Sequence, residues 1–258
     1  MRIALVQNDS HPGDKALQLR ALEKAVAAAS EQHADLLVCP ELFMTGYNLG
    51  PRIAELAEPQ GGPFMQSVQT LARRWQLTVV YGYAESDDGV YNSAAVIDAA
   101  GKLVVNHRKL HLAPGAFERG TFAPGSELGV FETGGLTAAV LICYDVEFPE
   151  AVRTCAKRKV DLLIVPTALR RQYAHLTQTL VPTRAFENGI FVVYVNYAGS
   201  ESGREYCGKS CVAGPDGHLV AQCGEREQLL VVDVDPAMLA AARASIPYLQ
   251  DLRESIYR

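Results

Sequence analysis

Three residues in this chain are of types that do chemistry and stand where a fold could aim them. Cys143 closes the apolar run Thr137–Ile142 and opens the polar turn Tyr144–Phe148. A thiol at a strand-to-turn junction sits beside backbone N–H donors, which favour thiolate and can hold an oxyanion. Glu41 ends the apolar run Leu36–Pro40 in the same way, a carboxylate of the kind that moves protons. Lys109 lies just past the strand-like run Leu103–Asn106 and brings a cation. Each alone has an ordinary reading: a small buried thiol, a surface carboxylate, a solvated lysine. In the order Glu, Lys, Cys, over about 100 residues, they stop looking independent.

Other motifs fail on their surroundings. Gly203–Ser210 fits the G-x-x-x-x-G-K-S phosphate loop letter for letter, but that loop works only where a helix follows and turns its N–H groups to the phosphates. Here Ser210–Ala213 reads as a strand running into the turn Gly214-Pro215-Asp216-Gly217. His107 and His111 are four apart, with no Glu after His107 and with Arg108 and Lys109 between them, which opposes a dication. Cys207 and Cys211 form a lone pair with no second pair at usable spacing. Gly199–Gly203 carries Glu201 where a G-x-S-x-G nucleophile would stand.

The elements that must position the three residues follow from patterning. The chain has 258 residues, 48% of them hydrophobic, enough for a sizeable core and in keeping with a single domain spanning 1–258. Short runs rich in Val, Ile, Leu and Tyr predict strands at Ile3–Gln7, Leu36–Cys39, Thr78–Tyr83, Ser93–Asp98, Leu103–Asn106, Thr137–Cys143, Leu162–Pro166, Phe191–Tyr197, Ser210–Ala213 and Leu229–Val234. Three- and four-residue apolar spacing predicts helices at Lys15–Gln32, Phe64–Trp75 and Pro149–Arg158, and more weakly at Val181–Asn188. Ala34–Glu41 echoes Val160–Thr167, each after a helix and an earlier apolar strand, which predicts two related halves and two sheets flanked by helices. Glu41, Thr167 and Cys143 would then lie at neighbouring strand ends. Lys plus Arg total 24 against 29 for Asp plus Glu, a formal charge of −5 that argues against non-specific nucleic-acid binding. No apolar run approaches the ~20 residues needed to span a bilayer, so no membrane partner is expected. The opening Met1–Gln7 enters a strand at once and leaves no room for a signal peptide, and the six cysteines read as reduced thiols of a cytoplasmic protein.

Pro40-Glu41-Leu42-Phe43, Arg108-Lys109-Leu110-His111-Leu112 and Ile142-Cys143-Tyr144-Asp145 together resemble the three signatures of the carbon–nitrogen hydrolase (nitrilase) superfamily, and the resemblance covers nearly the whole chain. It implies an α/β fold, a four-layer α-β-β-α sandwich, and a Glu-Lys-Cys triad of Glu41, Lys109 and Cys143. By that resemblance Cys143 attacks an amide carbonyl to form a thioester and Glu41 moves the protons. Lys109 and the Tyr144 N–H would hold the oxyanion, and the lysine charge would lower the cysteine pKa. No metal or organic cofactor is implied. Phe117–Gly125 is similar to a further family run and implies a supporting role for Glu118, while Tyr47, Tyr144 and Thr167 are implied to contact substrate. The runs Glu41–Asn48, Tyr81–Glu85, Cys143–Glu150, Glu205–Ser210 and Pro247–Arg253 look most like the small-amide branch, nearest the 5-aminopentanamidases. The loop after Lys109 is one residue longer than in that group and reads Ala113-Pro114-Gly115-Ala116-Phe117. The implied reaction is amide plus water giving carboxylate plus ammonia, with an ω-amino amide as one substrate and Glu147, Glu201 or Glu205 as acids for its amine. N-carbamoyl amines, nitriles and a catalytically inactive binding protein are the alternatives. Relatives pair into homodimers or larger assemblies, here through Pro149–Arg158 and Arg170–Asn188, with Tyr173, Leu176, Leu180 and Phe186 as apolar content and Ile246–Tyr257 reaching the partner.

Overall fold

Strands buried on both faces need unbroken apolar runs, and Ile3–Val6, Leu36–Cys39 and Leu162–Val165 supply them. In the computed structural model, which describes residues 1–256, these runs form central strands of two six-stranded sheets. The first sheet takes β1 (Arg2–Gln7), β2 (Leu36–Val38), β3 (Thr78–Ser86), β4 (Val90–Ile97) and β5 (Leu103–Arg108). The second takes β6 (Gly129–Thr133), β7 (Leu136–Val140), β8 (Leu162–Pro166) and β9 (Phe191–Val195). A short ribbon follows, β10 (Ser200–Glu201) and β11 (Arg204–Glu205). Then β12 (Cys211–Ala213) and β13 (Leu219–Gln222) complete the second sheet, and β14 (Gln228–Asp233) returns to the first.

The echo in the sequence is a repeat of topology. The orders are β14-β1-β2-β3-β4-β5 and β6-β7-β8-β9-β12-β13. In both, the first pair is antiparallel, the next two parallel and the last two antiparallel.

Alternation along the strands sorts side chains into layers. Ile3, Leu5, Leu36, Val38 and Val80 meet Ala138, Val140, Leu162, Ile164 and Val193 between the sheets. Ala4, Leu37 and Val79 face outward onto Leu22 and Val26 of α1 (Lys15–Glu31) and, beyond the short α2 (Arg52–Leu56), onto Phe64 and Val68 of α3 (Pro63–Trp75). Past α4 (Ala116–Thr121), Val152 and Cys155 of α5 (Pro149–Lys157) and Val181 and Ala185 of α6 (Leu180–Asn188) cover Ala139, Leu163 and Val192 of the second sheet. The result is the expected four-layer α-β-β-α sandwich. Two short helices, α7 (Ala237–Ser245) and α8 (Tyr248–Asp251), follow β14.

Two local expectations change. β7 stops at Val140, and Cys143 opens a 3-10 turn, Cys143–Glu147, instead of ending the strand. The segment proposed for pairing, Arg170–Asn188, is a 3-10 turn, Arg171–Thr177, followed by α6. Tyr257, the last residue of the proposed C-terminal arm, lies outside the described residues.

Candidate active site

Glu41, Lys109 and Cys143 each lie within a few residues of the end of a strand, β2, β5 and β7 respectively, and the facing sheets bring those ends together. The loop carrying Glu41 crosses β3 at Gly82, where a Cβ would strike the Leu42 amide and the Pro40 carbonyl, so glycine is required there. The Glu41 amide donates to the Thr167 carbonyl (3.4 Å) just past β8, tying the two equivalent strand ends to each other.

Lys109 is fully buried, and its Nζ donates to Glu41 Oε1 (2.6 Å) and Glu118 Oε1 (2.7 Å). Asn92 Nδ2 also donates to Glu41 Oε1 (2.8 Å), and the Asn92 carbonyl accepts the Lys109 amide (2.8 Å). One carboxylate oxygen of Glu41 is thus held twice, while Oε2 is buried with no hydrogen-bond partner among the described residues. Glu118 is fixed by the Tyr47 hydroxyl on Oε1 (2.5 Å) and by the Ala113 amide on Oε2 (2.7 Å).

Cys143 stands at φ +46°, a left-handed backbone that costs energy for a residue bearing a Cβ. The turn is held by Asp145, a fully buried carboxylate. It accepts the amides of Ile142 (3.0 Å), Leu110 (3.3 Å) and His111 (2.7 Å), and so staples the cysteine turn to the residues just after Lys109. His111 Nδ1 lies 2.9 Å from Asp145 Oδ1, and His107 Nε2 is 3.8 Å from Oδ2. Burial opposes ionisation of Asp145, but the facing His107 and the Ile142 amide outweigh it and hold the carboxyl below its usual range. Both histidines therefore serve this carboxylate, and among the described residues there is no group of three or more potential metal ligands.

Lys109 pulls the Cys143 thiol down as expected, but burial acts against it. Burial pushes the Cys143 thiol well up, Glu41 adds to that, and the opposing pull of Lys109 and of the Thr167 hydrogen bond does not recover it. Burial at Cys143 thus favours the neutral thiol over the thiolate. Burial also raises Glu41, against the pull of Lys109. Burial disfavours charge on Lys109 too, but Glu41 and Glu118 overcome it and keep the ammonium charged well past its ordinary range. A neutral thiol beside a carboxylate of raised basicity and a fixed cation is set up for proton transfer at the moment of attack.

A pocket of about 370 Å³ opens onto Cys143, lined by Tyr47, Ala113, Pro114, Tyr144, Glu147 and Tyr173 among others. The loop after Lys109 thus borders the pocket. Tyr144 takes the second position of the 3-10 turn, where an amide has no partner within the turn. Thr167 lies behind the nucleophile: it hydrogen-bonds the Cys143 thiol and donates to the Tyr194 hydroxyl (3.0 Å). Of the three acids nominated for an amine, only Glu147 lines the pocket. Glu201 is buried and accepts the Tyr47 and Asn48 amides (3.1 and 2.9 Å), and Glu205 pairs with Arg171 (3.3 Å). Tyr173 and Leu176, read as pairing surface, also line the pocket. Gly203–Ser210 runs through β11 into β12, with no helix after it. Sequence reasoning gave no role to Asn92, Asp145, Arg170 or Arg204.

The Carbon-nitrogen hydrolase family model matches residues 2–244. The chain belongs to the carbon–nitrogen hydrolase family. Among relatives of this carbon–nitrogen hydrolase, a "Hydrolase in pqqF 5'region" from Pseudomonas protegens is 39% identical, over 100% of this chain and 90% of its own. An (R)-stereoselective amidase from a Pseudomonas species is 34% identical, over 98% and 92%. In structure, a mutant amidase from Nesterenkonia sp. AN1 matches with a TM-score of 0.87 at 34% identity, covering 100% of this chain and 96% of that one. That mutant carries the acetamide moiety of fluoroacetamide added covalently at its active-site cysteine.

Proposed function

We propose that this carbon–nitrogen hydrolase cleaves a small aliphatic amide to carboxylate and ammonia through a thioester on Cys143. The observation that carries the reading is Glu41: one oxygen is fixed by Lys109 and Asn92, and the other is buried without a partner, free to take a proton. In the first half, Glu41 Oε2 accepts the thiol proton as sulfur attacks the carbonyl carbon. The carbonyl oxygen becomes an oxyanion held by Lys109 and the Tyr144 N–H. Collapse of that intermediate expels nitrogen, which leaves as ammonia with the proton from Glu41. In the second half, Glu41 deprotonates water, which attacks the thioester, and the thiolate leaves and recovers its proton. Glu118 fixes Lys109 and Tyr47, and so acts by positioning.

The narrower reading, an ω-amino amide as in the 5-aminopentanamidases, would rely on Glu147, and two arginines facing the same pocket weigh against it. A homodimer is part of the proposal. Phe186, Ile246, Tyr248 and Ile256 are each more than a third exposed, and the Phe186 and Tyr248 rings pack edge to face (5.7 Å). That supports an apolar surface for a second copy. A cytoplasmic location fits six free cysteines, none in a disulfide; among the described residues no helix is long and apolar enough to cross a membrane.

Ammonia release from a panel of primary amides, N-carbamoyl amines and nitriles tests the reaction, with Cys143→Ala as the control. Amides should be the best substrates and the variant silent. A Cys143→Ala variant retaining a tenth of the activity would exclude the thioester route, because that loss is only ~1.4 kcal/mol of transition-state stabilisation.

A further inference from the structure

The chain is acidic overall, at −5, yet the pocket over Cys143 is lined by two guanidinium groups, Arg170 and Arg204, and one carboxylate, Glu147. Neither arginine has a carboxylate within ion-pair distance among the described residues. The acids nearby are already taken: Arg171 pairs with Glu205 (3.3 Å) and Glu225 (3.0 Å), and Glu201 is buried under backbone amides. Glu147 belongs to the cysteine's own turn, and burial raises its pKa, which weakens its claim on a substrate cation.

Arg204 is held in place by its side chain, and Arg170 by its backbone. Arg204 lies 4.6 Å over the ring of Tyr47, whose hydroxyl reaches Glu118, so a single aromatic ring separates this guanidinium from the triad's supporting carboxylate. Arg204 sits on the β10–β11 ribbon, which Glu201 fastens to Tyr47 and Asn48 while also accepting the Tyr206 hydroxyl (2.6 Å). Arg170 forms a β-bridge with Tyr206 and is carried by the same assembly. Two guanidiniums without a carboxylate partner lining the pocket over Cys143, one of them stacked on Tyr47, are an arrangement that recognises a carboxylate through charge-assisted, bidentate hydrogen bonds.

We propose that Arg170 and Arg204 form a carboxylate-binding subsite, so that the preferred substrate carries an amide at one end of a short chain and a carboxylate at the other. This deepens the amidase reading and rests on it. The amide enters at Cys143, the carboxylate stays at the arginines, and the product is a dicarboxylate.

The test compares glutaramate, pentanamide and 5-aminopentanamide, which share a reacting amide and differ at the far end. Glutaramate should have the highest kcat/KM, by tenfold or more. Arg170→Gln and Arg204→Gln should each lower kcat/KM for glutaramate about 10- to 100-fold. Most of that loss should lie in KM, and the loss for pentanamide should be at least tenfold smaller. Equal losses for the two substrates, or a preference for 5-aminopentanamide or pentanamide, would overturn the subsite. Calorimetric binding of glutaramate to Cys143→Ala, with and without Arg204→Gln, separates the two readings. Binding that weakens on removing Arg204, in an enzyme that releases no ammonia from any amide, would leave the subsite standing and reject the chemistry. Binding that is absent or indifferent to Arg204 rejects the subsite.

Discussion

Asn92→Ala is the sharpest probe of how the base is aimed. The substitution removes one of the two donors on Glu41 Oε1 and leaves Lys109 as the other. A hydrogen bond to a charged acceptor contributes about 1.5–3 kcal/mol. If that bond fixes Oε2 towards the thiol, its loss lowers kcat/KM about 10- to 100-fold. The bond also lowers the Glu41 pKa, so its removal raises it. At a given pH less of Glu41 is then in the basic form, the acid limb of the pH profile moves up, and raising the pH recovers part of the rate. Fold stability should suffer less than activity, because Asn92 Oδ1 is itself buried without a partner and leaves with the side chain. The assay is ammonia release against pH, with thermal unfolding as the control. A loss under threefold with an unmoved acid limb would refute the positioning argument.

Other outcomes follow from the same geometry. Glu41→Gln keeps the shape and loses the proton acceptor, so turnover should fall by 10²-fold or more; a normal rate would move the base to Glu118. Lys109→Ala should be inactive and also less stable by about 3–5 kcal/mol, because Glu41 and Glu118 would stay buried without their cation. An unfolding midpoint like that of the parent would refute that pairing. Burial alone would raise Glu85, but hydrogen bonds from Arg108, Ser93, Asn106 and Gln60 hold it at about 2, against an ordinary 4.5. Its contribution is therefore full above pH 4.5 and drains away as the pH falls towards 2. That contribution is about 1–3 kcal/mol, measurable as a smaller acid sensitivity in Glu85→Gln. Light scattering should give about twice the 28.0 kDa of the chain; the single mass would reject pairing.

Glu41 and Cys143 were legible as candidates because each follows a run of apolar, buried residues, a signal that survives without any fold in hand, whereas Lys109 follows the mixed strand β5 and carried no such signal. Their joint meaning came from the family resemblance, since thiol, carboxylate and lysine each have commoner uses. The inner strands were legible for the same reason. The edges of the second sheet were not: β6 and β13 are only partly buried and carry mixed residues, so their sequences lack the apolar signal, whereas β5 and β14 at the edges of the first sheet keep enough Leu and Val to be read. Asn92 was invisible because its partner lies 51 positions away, a pairing that only the sheet creates. Asp145 was quoted within a motif but has meaning only once Leu110 and His111 are folded against it. The lowering pull of Lys109 on the thiol was legible from the motifs, while the burial that outweighs it was not, because charge neighbours can be guessed from motifs and burial cannot.

The two sheets repeat one pairing order, but they do not share the work equally. The base and the cation come from the first sheet, and the nucleophile with its backing threonine comes from the second. The chemistry therefore lies on a seam between two half-structures, and neither half alone contains a complete site. The first sheet is itself incomplete until β14, from the end of the chain, pairs with β1. A ribosome-bound or truncated chain lacking β14 would hold Cys143 and Glu41 in sequence without a finished sheet to aim them. Turnover thus becomes a reporter of completed assembly: partly made chains carry the thiol without the power to use it on passing amides.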